Sequence, residues 1–340
     1  MPRKNSEELL SSKQILRDSQ GRHITYLRLA ITDRCNLRCN YCMPAEGIQL
    51  YPRQDILSYD ELERIVLIFT QLGITKIRIT GGEPFARKDA IQFLKKIRRI
   101  PYPLKLFITT NGVLAAKFFS ELSSVNPEGI NLSLDTLKKN RFYQITRRNG
   151  FDHLKQFLKD LLKSNIPLKI NTVIQSGINE DEIISIARLA EKNPVEVRFI
   201  ERMPFNGYPG HNETLYSGIG IENQLRDHFK EMKKVKTAAH STSRLFQING
   251  FRGMIGIIAG YSRTFCSSCN RIRVSTQGHV KTCLYAPPAL NLKILLRAGC
   301  TDDQIKIQLI NAVKNRYKDG IVAEKHNGQK VYNSMSVIGG

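Results

Sequence analysis

The sequence predicts an α/β protein: an incomplete (βα)6 TIM-like barrel followed by a smaller C-terminal α+β domain. Three observations carry this. Between residues 25 and 200 short apolar strands alternate with amphipathic helical stretches, the pattern of repeated βα units around a parallel sheet. Four of the strands carry polar residues on one alternate face, which suits a lumen holding water and a large polar ligand. After residue 201 the regularity breaks.

The expected strands cover residues 23–31, 75–80, 104–108, 129–134, 167–174 and 195–200. Six strands would leave the barrel open. Ser58 and Glu61 form a capping box for a helix that runs to Leu72 and stops at Gly73. A second amphipathic run covers 179–192. With a period of two, Lys76 and Arg78 share one strand face, as do Asn131 with Ser133, Lys169 with Asn171, and Tyr26 with Arg28 and Ala30. The alternative is a one-sided sheet with these residues in solvent, although βα crossovers normally cover both faces. Residues 206–220 read as a connector, 249–260 as a glycine-punctuated hairpin and 302–317 as a final helix. The division is therefore an N-terminal extension (1–22), the barrel (23–204), a C-terminal domain (205–330) and a tail (331–340).

The chain has 340 residues, 41% hydrophobic and 24% charged, an ordinary globular balance. Its longest apolar runs are far too short to span a bilayer and its first twenty residues lack an export signal, so no membrane partner and a cytoplasmic location are expected. A formal net charge of +22 implies an anionic ligand. The basic residues are scattered, without a basic-aromatic module, so nucleic acid is not the expected partner. Seven cysteines fall into two trios and one remainder, unlike a secreted disulfide framework.

The first trio is the string CNLRCNYC at 35–42, in which Cys35, Cys39 and Cys42 crowd one loop after the first strand. Three thiolates with no fourth ligand nearby suit a [4Fe–4S] cube with one open iron; zinc or idle thiols are the alternative. The second trio, Cys266, Cys269 and Cys283, encloses Arg271 and Arg273. Its spacing leaves a cluster and a zinc site, with His279 as fourth ligand, both open. Cys300 fits neither trio and reads as a small buried hydrophobe.

The first trio, followed by the string GGEP at 81–84, resembles the radical S-adenosylmethionine (SAM) superfamily. The strings TDRCNLRCNYCMP (32–44), KIRITGGEP (76–84), TTNG (109–112), SLDT (133–136), RFIE (198–201) with Met203, FCSSCNRIR (265–273) and the terminal Gly339 and Gly340 together resemble the GTP 3′,8-cyclase family of molybdenum cofactor biosynthesis. The resemblance implies a barrel of the radical SAM type and two [4Fe–4S] clusters, the first binding SAM and the second GTP. It implies SAM contacts from Tyr41, Gly82, Ser133 and Met203, and GTP contacts from Arg28, Lys76, Arg78, Thr109, Lys169, Arg271 and Arg273. Arg271, Arg273, Gly339 and Gly340 would serve catalysis. A 5′-deoxyadenosyl radical would take the C3′ hydrogen of GTP, and the C3′ radical would attack C8 of guanine. The resemblance further implies a flavodoxin-like reductant, a downstream cyclic pyranopterin monophosphate synthase and a homodimer. The alternative is another radical SAM enzyme, such as a peptide modifier, although the sequence shows neither extra auxiliary cysteines nor a leader-binding segment.

Overall fold

Strands form where alternating apolar residues can be covered by helices on one side. In the computed structural model these are β1 (Tyr26–Ala30), β2 (Lys76–Thr80), β3 (Lys105–Thr110), β4 (Gly129–Ser133), β5 (Leu168–Ile174) and β6 (Glu196–Glu201), each parallel to the next. The structure describes residues 15–203, 216–237, 240–260 and 266–327. The connections carry α1 (Tyr59–Gln71), α2 (Ala90–Arg98), α3 (Phe119–Val125), α4 (Lys139–Thr146), α5 (Phe151–Lys163), α6 (Ile183–Ala187) and α7 (Leu189–Lys192).

The expected capping box opens α1: Glu61 N donates to Ser58 Oγ at 3.1 Å, and Ser58 N to Glu61 Oε2 at 2.7 Å. Gly73, at φ +90°, ends that turn as a residue without a Cβ readily does. The single helix expected over 179–192 is instead broken into a 3-10 turn, α6 and α7. Its first turn is drawn aside because the buried Glu182 carboxylate accepts from Thr136 Oγ1 at 2.6 Å and Leu137 N at 2.8 Å.

Leu27, Leu29, Ile77, Ile79, Leu106, Ile108, Ile130, Leu132, Ile170, Val197 and Phe199 point outward and are wholly buried under the helices. Each such side chain contributes roughly 1.5–3 kcal/mol. The helices thus take the apolar face and leave the polar one to line the barrel, which answers the one-sided alternative.

The C-terminal segment adds α8 (Gly218–His228), β7 (Lys233–Val235), β8 (Arg244–Gln247), β9 (Met254–Ile258), β10 (Arg271–Val274), β11 (His279–Lys281) and β12 (Leu290–Asn291), then α9 (Leu292–Arg297), α10 (Asp302–Lys314) and α11 (Gly320–His326). The described strands form one sheet in the order β12-β11-β10-β1-β2-β3-β4-β5-β6-β9-β8-β7. Because β10 runs parallel to β1 and β9 parallel to β6, the six-stranded row gains one parallel strand at each edge. Sequence patterning misses this because edge pairing is made by backbone groups, which carry no side-chain signature. β9 and β10, consecutive strands in the chain, sit on opposite edges of the row, and Cys266 and Cys269, shortly before β10, line the cavity. Among the described residues no helix is long and apolar enough to cross a membrane.

Candidate active site

A cavity of about 340 Å³ opens within the barrel, and both cysteine trios line it. None of the seven cysteines is in a disulfide. The first trio hangs on the loop after β1, which the GGEP turn clamps from beside it. Gly82 N donates to Thr32 O and Glu83 N to Arg34 O, both at 2.8 Å. A Cβ on Gly81 would lie 2.3 Å from Thr32 O, and one on Gly82 would lie 2.4 Å from Arg34 O, so this approach requires glycine at both positions. Leu37 N donates to Cys35 Sγ at 3.4 Å, a contact that favours a thiolate.

Two carboxyls brace this end. Glu83 accepts from Thr110 Oγ1 and Asn111 N, both at 2.8 Å, and burial pushes its pKa up to about 7. Asp135 accepts from Tyr41 Oη at 2.7 Å and Val173 N at 2.9 Å, and burial takes it to about 6. Burial also raises Cys35 to about 12, and burial, then the charge of Asp135, lifts Cys39. Ser133 lines the cavity from β4. Met203 lines it too, with its Sδ 3.6 Å from Tyr285 Oη.

The second trio faces basic groups. Arg316 donates to Cys269 O at 2.9 Å and to Cys269 Sγ at 3.0 Å. Burial would raise the Cys269 thiol, but Arg271 and Arg316 outweigh it and bring it down to about 7. Arg28, Arg198, Arg271, Arg273 and Lys281 line the adjoining wall. Arg273 and Lys281 are register partners across β10 and β11. Burial, then Arg271, lowers Arg273 to about 10, and burial, then Arg273, lowers Lys281 to about 8. Like charges crowded inside a protein mark a place built for an anion.

Of the residues singled out in the sequence, the cavity wall carries the six trio cysteines, Tyr41, Gly82, Ser133, Met203, Arg28, Thr109, Arg271 and Arg273. Lys76, Arg78 and Lys169 lie off that wall. Arg78 donates to Tyr26 Oη at 2.6 Å and to Ile108 O at 3.0 Å. Lys76 Nζ stands over the rings of Tyr26 and Phe107, 4.5 and 4.3 Å from their centroids, and Lys169 pairs with Glu196 at 2.6 Å. Gly339 and Gly340 lie outside the described residues. Cys300 is half-buried against the core, away from either trio. The sequence reading passed over Lys281 and Arg316, and it gave Asp135 and Arg198 no role although the strings SLDT and RFIE contain them. Arg198 was within reach, since it alternates with Glu196 and Ile200 on β6.

Among the described residues no three His, Cys, Asp or Glu side chains are disposed to hold one metal ion. His279 is off the cavity wall. The donor set therefore fits a cluster, in which each thiolate binds its own iron, better than a single zinc. The first three thiols line the wall beside the glycine turn, and the second three line it with Arg271, Arg273 and Arg316.

Residues 29–190 match the Radical SAM superfamily model and residues 195–321 the Molybdenum Cofactor Synthesis C model. GTP 3′,8-cyclase of Clostridium perfringens is 37% identical over 317 residues, covering 92% of this chain and 94% of that protein. GTP 3′,8-cyclase of Moorella thermoacetica is 36% identical over 328 residues, covering 96% of this chain and 100% of that protein. Molybdenum cofactor biosynthesis protein 1 of Drosophila melanogaster is 36% identical over 93% of this chain and 56% of its own length. The chain spans about half the length of this and similar animal relatives. Among solved structures, Streptococcus suis SuiB aligns with a TM-score of 0.63 at 14% identity, over 89% of this chain and 69% of that one. The structure of anSMEcpe with bound AdoMet aligns at 0.58 and 14%, over 92% and 87%. At such identities these two share the fold alone.

Proposed function

The chain belongs to the GTP 3′,8-cyclase family, and from this we propose that it converts GTP to 3′,8-cyclo-7,8-dihydro-GTP, the first step of molybdenum cofactor biosynthesis. The observation that carries the reading is that both cysteine trios line one cavity, together with Arg28, Arg198, Arg271, Arg273 and Lys281.

Cys35, Cys39 and Cys42 would hold one [4Fe–4S] cluster and Cys266, Cys269 and Cys283 a second. Bound with SAM, the first supplies on reduction a 5′-deoxyadenosyl radical able to take hydrogen from C3′ of the ribose. The chain's own residues bind and orient. The backbone at Gly82 is free of any Cβ and can accept the SAM amino group, with Tyr41, Ser133 and Met203 along the rest of the cofactor. Arg28, Arg271 and Arg273 supply charge-assisted donors for a triphosphate, and Thr109 a hydroxyl. Lys76, Arg78 and Lys169, one layer deeper, serve the far end of the phosphates, held meanwhile by Tyr26 and Glu196. Gly339 and Gly340 would enter the same site. Enclosing walls hold the reacting groups together and keep water out. The same reading brings a flavodoxin-like reductant, a downstream cyclic pyranopterin monophosphate synthase, a homodimer and a cytoplasmic location.

Anaerobic reconstitution with iron and sulfide, then incubation with SAM, reductant and GTP, tests this. The expected result is about eight irons per chain and a cyclic GTP-derived product identified by mass. About four irons, or SAM cleavage that GTP leaves unchanged with no such product, would overturn it.

A further inference from the structure

Asp18 has a fully buried side chain in the turn before β1, outside every motif. Its Oδ1 accepts the backbone N–H groups of Gln20 at 3.0 Å and Arg22 at 2.9 Å. Its Oδ2 takes Arg22 Nε at 2.6 Å and faces Arg316 Nη1 at 3.8 Å. Each of these guanidinium groups then reaches one cysteine of the second trio. Arg22 donates to Cys266 O at 3.0 Å, and also to Tyr317 O and Lys318 O, both at 2.8 Å. Arg316 donates to Cys269 O at 2.9 Å and Cys269 Sγ at 3.0 Å, with its side chain 3% exposed.

A buried arginine is costly unless its charge is answered. Here one carboxylate is shared between two guanidinium groups, so a positive excess remains, and it lies against the sulfur of Cys269. Hydrogen bonds to cluster ligands raise a cluster's reduction potential, and outer partners of metal ligands fix their orientation. We infer that Arg316, oriented by Asp18, is a positioning residue for the second iron–sulfur site: it holds Cys269 in place and sets the reduction potential of the cluster bound there. This inference rests on the two-cluster reading above.

The test is an anaerobic EPR-monitored redox titration of reconstituted full-length chain. The SAM-responsive signal identifies the first cluster and serves as the internal reference. Arg316→Gln, keeping iron content, should move the potential of the SAM-insensitive cluster to a more negative value and leave the SAM-responsive one in place. Arg316→Lys, which keeps the charge but loses the planar fork, should give a smaller shift. Asp18→Asn should loosen the orientation and broaden that cluster's signal alone. Unchanged potentials in an Arg316→Gln chain that retains both clusters, or equal shifts in both, would overturn the inference. If Arg316→Gln fails to fold, Arg316→Lys decides: an unshifted potential with full iron overturns the inference. A wild-type chain with one cluster, or with zinc at the second trio, defeats the two-cluster reading before any variant is made, so the two failures are distinguishable.

Discussion

Cys39 and Cys269 are similarly enclosed thiols on the wall of one cavity, yet their charged neighbours are of opposite sign. Burial and the Asp135 carboxyl push the Cys39 thiol up, against a hydrogen bond from Tyr41. Arg271 and Arg316 face Cys269, and they bring its thiol down to about 7 against the pull of burial. The difference teaches how a single chamber can sort its ligands. A SAM molecule carries a positive sulfonium and suits the end braced by Asp135 and Glu83. A triphosphate carries several negative charges and suits the end lined by Arg28, Arg271, Arg273 and Lys281. The bases at the first end are turned to the backbone instead: Arg38 donates to Cys35 O at 2.7 Å and Leu37 O at 2.8 Å.

Removing one cysteine from each trio breaks the comparison most severely. Cys39→Ala and Cys269→Ala should each lower iron from about eight to about four per chain. Only the first should abolish reductive SAM cleavage, measured as 5′-deoxyadenosine formed; the second should abolish the GTP-derived product while deoxyadenosine still forms. Loss of both activities in both variants would mean that the two ends do not act separately.

Arg271→Ala acts on the basic end alone. It should reduce kcat/KM for GTP on the order of 100-fold, with SAM cleavage retained. Equal loss of both activities would place this arginine in SAM chemistry and erase the division. Arg271 and Arg273 were legible in the sequence through the resemblance that the string FCSSCNRIR (265–273) carries. The six parallel strands, and the polar faces of four of them, were legible from a period of two. What lay beyond reach was assembled through space. Arg22 and Cys266 are 244 positions apart, and nothing in the turn around Asp18 marks it as a brace for a distant cysteine. Lys76, Arg78 and Lys169 share the inward face as expected. Alternation gives a side chain's face, though, and not its depth, so their withdrawal onto Tyr26, Phe107 and Glu196 was invisible.

Gly82→Ala acts on the other end. With Arg34 O 2.4 Å and Asp33 O 2.8 Å from the new Cβ, backbone must shift, because neither neighbour is a flexible side chain. A destabilisation of about 1–3 kcal/mol is expected, read by denaturant titration of the apo chain. SAM binding should weaken more than binding of GTP. Unchanged stability would mean that the turn and the cysteine loop separate freely.

The subtlest difference is in pH dependence, where the two ends carry opposite slopes. Glu83 sits at about 7 when folded, above the ordinary glutamate value of about 4.3. Between those values the folded chain binds the extra proton, so this group makes stability fall as pH rises from about 4.3 to 7. Tyr26 goes the other way: burial would raise its phenol, but Arg78, Arg28 and Lys76 outweigh it and bring it to about 7, below the ordinary value near 10. Between 7 and 10 the unfolded chain binds the extra proton, so this group makes stability rise with pH. Denaturant midpoints of the apo chain across pH 5–9 should therefore flatten below neutrality in Glu83→Gln and above it in Tyr26→Phe. The Tyr26 effect should shrink when GTP is bound, because a polyanion among the same bases removes their hold on the phenolate. An undiminished Tyr26 slope with saturating GTP would mean that the phosphates do not reach Arg78 and Lys76.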